Sequence, residues 1–350
     1  MSEGSLAGSI GWLVRGVFRK FWREVVPELT SCLRFVRSPH QLVSAWPDGA
    51  AALGPRVAIF AHFHRRGAVH EHVTHYLKSL ATAGLSVVFV SNSERLDPDA
   101  LARLRTLCDA VLVRRNIGYD FGAWREAIQH LGLPRQDTEL LLLANDSVYG
   151  PLQPLGAVLE RIRVDEAPFW GLTESWQMGY HLQSYFLAFG PRALHSDAWT
   201  QFWNQVRPAP SKRWVIRHYE LGLSQIMIRS GFDCKAVWSY ESLVKDVDPA
   251  LFAEAVKDDK EQDPLLAARL KHANQIRVSS VGRVPLNPTS DLWRQLLQKQ
   301  YPFIKRELLR DNPTRIADIA DWQSIAAETA TEDFSSILLD LKRTLRNRAP

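Results

Sequence analysis

The chain has 350 residues, 46% hydrophobic and 23% charged, a composition that supports a full globular core and excludes a disordered or fibrous chain. Its net charge of +5 is spread along the sequence instead of gathered in a basic block, which favours a small anionic partner such as a nucleoside diphosphate over nucleic acid. Cys32, Cys108 and Cys234 lie far apart with no CxxC pair, which points to a reducing compartment and no disulfide framework.

No apolar run is long enough to cross a bilayer, and basic residues interrupt the N-terminal apolar stretch before any cleavage site, so a cytoplasmic location is expected. Within residues 10–26, Ile10, Leu13, Val14, Val17, Phe18, Phe21, Trp22, Val25 and Val26 recur at helical spacing, with Arg15, Arg19, Lys20 and Arg23 on much of the remaining face. Such a helix either makes a peripheral membrane contact or packs on its own domain. Residues 1–50 therefore read as an amphipathic helix and a linker, the connector running from Pro27 through the Pro39–Pro55 region.

From Val57 the pattern alternates. Strands are expected at 57–63, 85–90, 110–113 and 140–144, and helices at 70–83, 101–108 and 122–131. Strands alternating with helices imply a largely parallel sheet covered on both faces. Further on, short strands are expected at 169–172 and 185–189, with helices at 193–206 and 221–230, and the chain after Asp246 reads as mostly helical. In such sheets ligands bind beyond the carboxyl ends of the strands. Three polar segments fall there: Ser91-Asn92-Ser93, the loop Arg114 to Gly122, and Asn145-Asp146-Ser147 ahead of Gly150-Pro151.

Each segment has a chemical reading and a structural one. Asp146 closes an apolar strand and either offers a hard oxygen ligand to a diphosphate-bound cation or caps the turn that follows. In the second segment, Arg114 and Arg115 suit phosphate oxygens, Gly118 and Gly122 permit close backbone approach, and the helix opening near Phe121 offers amides to an anion. Asp120 there either caps the helix or accepts a hydrogen bond from a sugar or base. Glu220, ahead of the apolar helix at 221–230, is either a carboxylate at a helix N-terminus or a general base. His62, His64, His70, His72 and His75 are clustered in sequence, but their spacing matches no zinc signature. Of the 12 tryptophans most are expected in the core, with Trp176, in a polar stretch, the best candidate for a sugar platform.

The series Arg115-Asn116-Ile117-Gly118-Tyr119-Asp120-Phe121-Gly122, Asn145-Asp146-Ser147-x-x-Gly150-Pro151, Gly171-Leu172-Thr173 and His181-Leu182-Gln183-Ser184-Tyr185-Phe186 resembles the rhamnan synthesis protein F family. Asn287-Pro288-Thr289 and the run from Pro302 to Leu309 look like the same group, so the resemblance covers residues 55–315. It implies a GT-A-like, Rossmann-like α/β catalytic domain over residues 51–245 and a mostly helical region over 246–350. It also implies a glycosyltransferase that moves a sugar, rhamnose by analogy, from a nucleotide-diphospho-sugar donor. The acceptor would be a lipid-linked glycan of a bacterial surface polysaccharide or O-antigen.

On the same resemblance, the role of catalytic base is carried to Glu220, and Asp146 is expected at the diphosphate. Donor contacts are expected from Ser91 and Asn92 after the second strand, and from Arg115, Asn116, Gly118, Asp120 and Gly122 after the third. Asn145 and Ser147 flank Asp146, while Trp176, His181 and Gln183 are expected to meet sugar or acceptor. The family fold commonly holds its metal with Asp-x-Asp, and here Asn145-Asp146-Ser147 provides one carboxylate. Mg2+ or Mn2+ held mainly by the diphosphate, and no metal at all, both remain open. Two rival readings are a non-catalytic glycan-binding or assembly subunit, and a metallohydrolase built on the histidines between His62 and His75.

Overall fold

The structure is a computed structural model and describes residues 41–207, 211–247 and 264–346. The helix expected at 10–26 and most of the linker lie outside the described residues.

The strands expected from apolar runs form the centre of a sheet: β2 (Arg56–His62), β3 (Ser86–Ser91), β4 (Ala110–Arg114) and β5 (Leu140–Asn145). β2 lies between β3 and β5, parallel to both, and β4 continues the sheet parallel to β3. Three further strands join it that the sequence did not announce. β1 (Leu42–Trp46) runs antiparallel to β4 within what read as connector, and β10 (Cys234–Trp238) runs parallel to β7 (Phe169–Ser175). β9 (Phe186–Phe189) is inserted antiparallel between β5 and β7, and the short β8 (His181–Leu182) pairs with β7. The spatial order is β1-β4-β3-β2-β5-β9-β7-β10.

The period of two along each strand decides the two cores. Ala58 and Phe60 of β2 face one hydrophobic cluster with Leu142 of β5, whereas Val57 and Ile59 face the other with Leu141 and Leu143. Each large side chain so buried stabilises the fold by about 1.5–3 kcal/mol, which is why both faces must be covered. The helix Glu71–Thr82 covers the first face with Val73, Tyr76, Leu77 and Leu80, at spacings of three and four. The helix Tyr119–His130 covers the second with Phe121, Trp124, Ala127 and Ile128, and Trp124 Nε1 donates to the Ala144 carbonyl at 3.1 Å. The helix Pro98–Leu107 begins three residues before the expected start, because Asp97 caps the amides of Asp99 and Ala100 and Pro98 suits the first turn.

Residues after 264 build a third cluster, in which Trp293, Leu297, Ile304, Leu308 and Trp322 pack around Tyr149 and Leu152. β11 (Ile304–Lys305) pairs antiparallel with β6 (Val148–Tyr149), the strand directly after Asn145-Asp146-Ser147. Gly150 permits this approach. Its φ is 134°, and a Cβ there would meet the Pro302 carbonyl oxygen at 2.3 Å. Among the described residues no helix is long and apolar enough to cross a membrane.

Candidate functional site

A cleft of about 840 Å³ opens at the carboxyl ends of the parallel strands. Asn92 enters it from the end of β3, Asn116 to Phe121 from beyond β4, and Asn145-Asp146-Ser147 from the end of β5. Gln183, Ser184 and Tyr185 line it ahead of β9, Lys212 and Glu220 from the following helical run, and Lys305, Arg306 and Arg310 from the C-terminal region.

The loops are tied to one another. Asn145 Nδ2 donates to Asp120 Oδ2 at 2.9 Å, and Asn145 Oδ1 accepts from the Ser147 amide at 3.0 Å and from its hydroxyl at 2.5 Å. Asn92 Nδ2 donates to the Tyr119 carbonyl at 3.2 Å, while its Oδ1 accepts from Arg114 Nη1 at 2.5 Å. Arg114, 2% exposed, also donates to the Ile117 carbonyl at 2.9 Å and pairs with Glu126 at 3.3 Å. It braces the loop from behind and does not line the cleft. Gly118 is left-handed, φ 89°, and starts the helix Tyr119–His130 with no side-chain cap, and the first-turn residues Tyr119, Asp120 and Phe121 line the cleft.

Charge in the cleft is mixed. Burial, then the neighbouring Asp146 carboxylate, raises the Asp120 carboxyl to about 7, against the pull of the Asn145 hydrogen bond. Asp146 Oδ2 lies 2.9 Å from Arg306 Nη1. Burial alone would lower the Arg306 pKa, but Asp146, Tyr149 and Asp340 more than offset it. Burial lowers that of Lys305, with Glu220 opposing.

Glu220 does not stand at a helix N-terminus. A helical run continues from Lys212–Val215 through a wide π turn at Ile216–Glu220 into Leu221–Arg229, and Glu220 makes no side-chain capping bond. Its Oε1 instead accepts from the Ser184 amide at 2.9 Å, which fixes the carboxylate at the cleft. Wide turns of this kind recur at functional sites because they re-aim one side chain.

Other expected residues lie elsewhere. Ser91 is buried with its hydroxyl 3.1 Å from His62 Nδ1, and Gly122 lies inside its helix with its amide on the Gly118 carbonyl. Arg115 is exposed and its amide donates to the Gln41 carbonyl at 2.8 Å. Trp176 is 50% exposed and packs edge-on against Tyr180 at 5.0 Å, and His181 is buried with Nδ1 2.9 Å from the Gly179 carbonyl. None of these five lines the cleft. Gln183 does, within a buried polar network. Thr173 Oγ1 meets Gln183 Oε1 at 2.7 Å and Tyr185 OH at 2.6 Å, Tyr301 OH donates to Tyr185 OH, and Gln183 Nε2 donates to Asn287 Oδ1 at 3.2 Å. The sequence motifs at 171–173, 181–186 and 287–289 thus meet through side-chain hydrogen bonds.

The histidines serve packing and hydrogen bonding. His64 Nδ1 accepts from the Ala68 amide at 3.0 Å, His75 Nε2 lies 3.0 Å from the Pro151 carbonyl, and His72 is buried beside Tyr149 and Asp340. Among the described residues no group of three His, Cys, Asp or Glu side chains is arranged to hold a metal ion. The residues at the end of β5 do not fit a resident divalent cation either. Asp146 offers a single carboxylate whose Oδ2 is already taken by Arg306, and Asn145 turns its NH2, a donor, toward Asp120.

Sequence reasoning assigned no role to Lys212, Lys305, Arg306 or Arg310. The signal was present for Lys305 and Arg306, which fall inside the motif from Pro302 to Leu309, but nothing local shows that this motif returns to β6.

A mixed, parallel-dominated sheet with its polar cleft at the strand carboxyl ends is a Rossmann-like α/β architecture. The sequence model of the rhamnan synthesis protein F family matches residues 87–279, more than half of the chain, and the chain belongs to that family. It is similar to the virulence protein VirA of Vibrio anguillarum, 29% identical over 232 residues that cover 65% of this chain and 70% of that protein. It is also similar to the uncharacterized protein y4gN of Sinorhizobium fredii, 30% identical over 57% of this chain and 52% of that protein, so it spans about half of that relative. Among solved structures, the glycosyltransferase GlyE of Streptococcus pneumoniae aligns with a TM-score of 0.38 and 10% identity, over 82% of this chain and 63% of that one. The mannosyltransferase PcManGT of Pyrobaculum calidifontis, in complex with GDP-Man and Mn2+, aligns with a TM-score of 0.35 and 12% identity, over 87% of this chain and 94% of that one.

Proposed function

We propose that the chain is a glycosyltransferase that takes a sugar of the rhamnose type from a nucleoside-diphospho-sugar and adds it to a bacterial surface glycan, an O-antigen or related polysaccharide on a lipid carrier. The observation that carries this reading is a cleft in which a fixed carboxylate, Glu220, shares the lining with Asp120, Asp146, Lys305 and Arg306. Family membership supports the surface-glycan context.

In this reading Glu220 is the base. Held by the Ser184 amide, it accepts the proton of the acceptor hydroxyl as that oxygen attacks the anomeric carbon. The open first turn of the helix Tyr119–His130, together with the cleft cations, receives the diphosphate. Asn92, Asn116, Asp120, Asn145 and Ser147 hold the nucleoside and sugar through hydrogen bonds, and Gln183 borders the sugar. Positioning and charge stabilisation supply most of the rate. The basic, apolar segment at 10–26 would bring the enzyme to the inner face of the membrane, where a lipid-linked acceptor resides.

The test is incubation with dTDP-, UDP- and GDP-linked sugars and a lipid-linked glycan, following nucleoside diphosphate release and glycan extension together. Extension from one donor, cut roughly a hundredfold or more in Glu220→Gln, supports the reading. Saccharide binding with no nucleotide dependence and no extension would replace it with a glycan-binding subunit.

A further inference from the structure

Asp146 directly follows the apolar strand β5, where a metal-binding carboxylate would stand, and it is held by an arginine instead. Arg306 Nη1 reaches both the Asp146 carboxylate, at 2.9 Å, and the Asp146 main-chain carbonyl. The two side chains are only 15% and 17% exposed, so this is not a loose surface pair. The arginine is placed by the backbone. Its amide donates to the Ser147 carbonyl at 3.0 Å, Lys305 is in register with Val148, and the guanidinium lies 5.4 Å from the centre of the Tyr149 ring. Arg306 Nε is buried with no hydrogen-bond partner among the described residues, which leaves a donor uncommitted. Lys305, next in the chain, also lines the cleft and has no ion-pair partner within 4.0 Å among the described residues.

We propose that Arg306, with Lys305 beside it, replaces the divalent cation in this cleft and neutralises the departing diphosphate, so that donor binding requires no metal. The inference rests on the glycosyl-transfer reading above. In that step the acceptor oxygen bonds to the anomeric carbon while the bond from that carbon to the diphosphate oxygen breaks. The electron pair leaves on the diphosphate, and the acceptor proton passes to Glu220. A guanidinium presents a rigid fork of donors that matches phosphate oxygens, and a charge already fixed in a partly dehydrated cleft needs no reorganisation as the negative charge develops. A metal at Asp146 would share the carboxylate with the Arg306 guanidinium, which already sits on Oδ2 and on the main-chain carbonyl.

The experiment is calorimetric binding of UDP, GDP and dTDP to the full chain, once in EDTA and once in MnCl2. It is run on the wild type, Arg306→Lys and Arg306→Gln, with a thermal melt of each variant to establish folding. The wild type should bind one nucleotide with affinities that agree within about twofold in the two buffers. Arg306→Gln frees the Asp146 carboxylate, so it should lose roughly tenfold or more in EDTA and recover in MnCl2. Arg306→Lys should keep metal-free binding at reduced affinity. Wild-type binding that appears only with Mn2+ overturns the proposal and leaves glycosyl transfer standing, as a measurement that depends on no variant. Wild-type affinity of Arg306→Gln in EDTA also overturns it. Absence of binding to all three nucleotides in both buffers removes the glycosyl-transfer reading, and this proposal with it.

Discussion

The Asn145 amide nitrogen lies 2.9 Å from the Asp120 carboxylate and joins the end of β5 to the first turn of the helix Tyr119–His130. Burial and the nearby Asp146 raise that carboxyl to about 7 in the folded chain, from an ordinary 3.8. The folded state therefore holds a proton that the unfolded state has already released between these values. Its stabilising contribution is fully present below the unfolded pKa and is lost as pH rises through about 7. Asp120→Asn keeps an acceptor for Asn145 and cannot ionise. Its melting temperature should exceed that of the wild type above neutrality, and the difference should shrink toward pH 4. A constant difference across that range would remove the assigned titration.

Glu220→Gln keeps an oxygen to accept the Ser184 amide and loses the ability to take a proton. Turnover should fall roughly a hundredfold or more, with nucleotide affinity and melting temperature unchanged. Steady-state kinetics beside calorimetry separate these quantities, and full turnover would take Glu220 out of the chemistry.

His62 and His72 contribute to the acid side of the stability profile. Burial is the main cause that lowers His62 to about 4, against the pull of Asp146, and burial followed by Arg306 lowers His72 to about 3. Both rings stay neutral in the fold at pH values where the unfolded rings, with pKa 6.5, are already protonated. The contribution is present above 6.5 and is lost as pH falls through the folded values. Chemical denaturation from pH 7 to pH 5 should show falling stability, and His72→Phe should flatten that slope. An identical slope in the variant would show that His72 carries none of it.

Thr173→Val tests the polar network under the cleft. The substitution nearly preserves shape but removes the hydroxyl that meets Gln183 and Tyr185, leaving buried groups under-satisfied. A loss of about 1–3 kcal/mol in denaturant unfolding is expected. Reduced donor affinity should accompany it, because Gln183 and Tyr185 line the cleft.

The sequence by itself determined the strands β2, β3, β4, β5, β7 and β9 and the helices that cover them. Apolar alternation and helical spacing are local, and burial on both faces of a parallel sheet leaves little other choice. It also determined that Asn92, Asp120, Asn145, Asp146 and Ser147 would share one edge, since a residue after a parallel strand has only one edge to occupy. Other features depended on contacts between residues far apart in the chain. β10 carries no run as apolar as β5, and its pairing with β7 settles its place. The position of Glu220 depends on a π turn and on the Ser184 amide. Arg306 reaches Asp146 across 160 positions because β11 pairs with β6, past a glycine that leaves room for a carbonyl. A charged pair at that separation has no periodicity to betray it, so only the tertiary structure decided what neutralises Asp146.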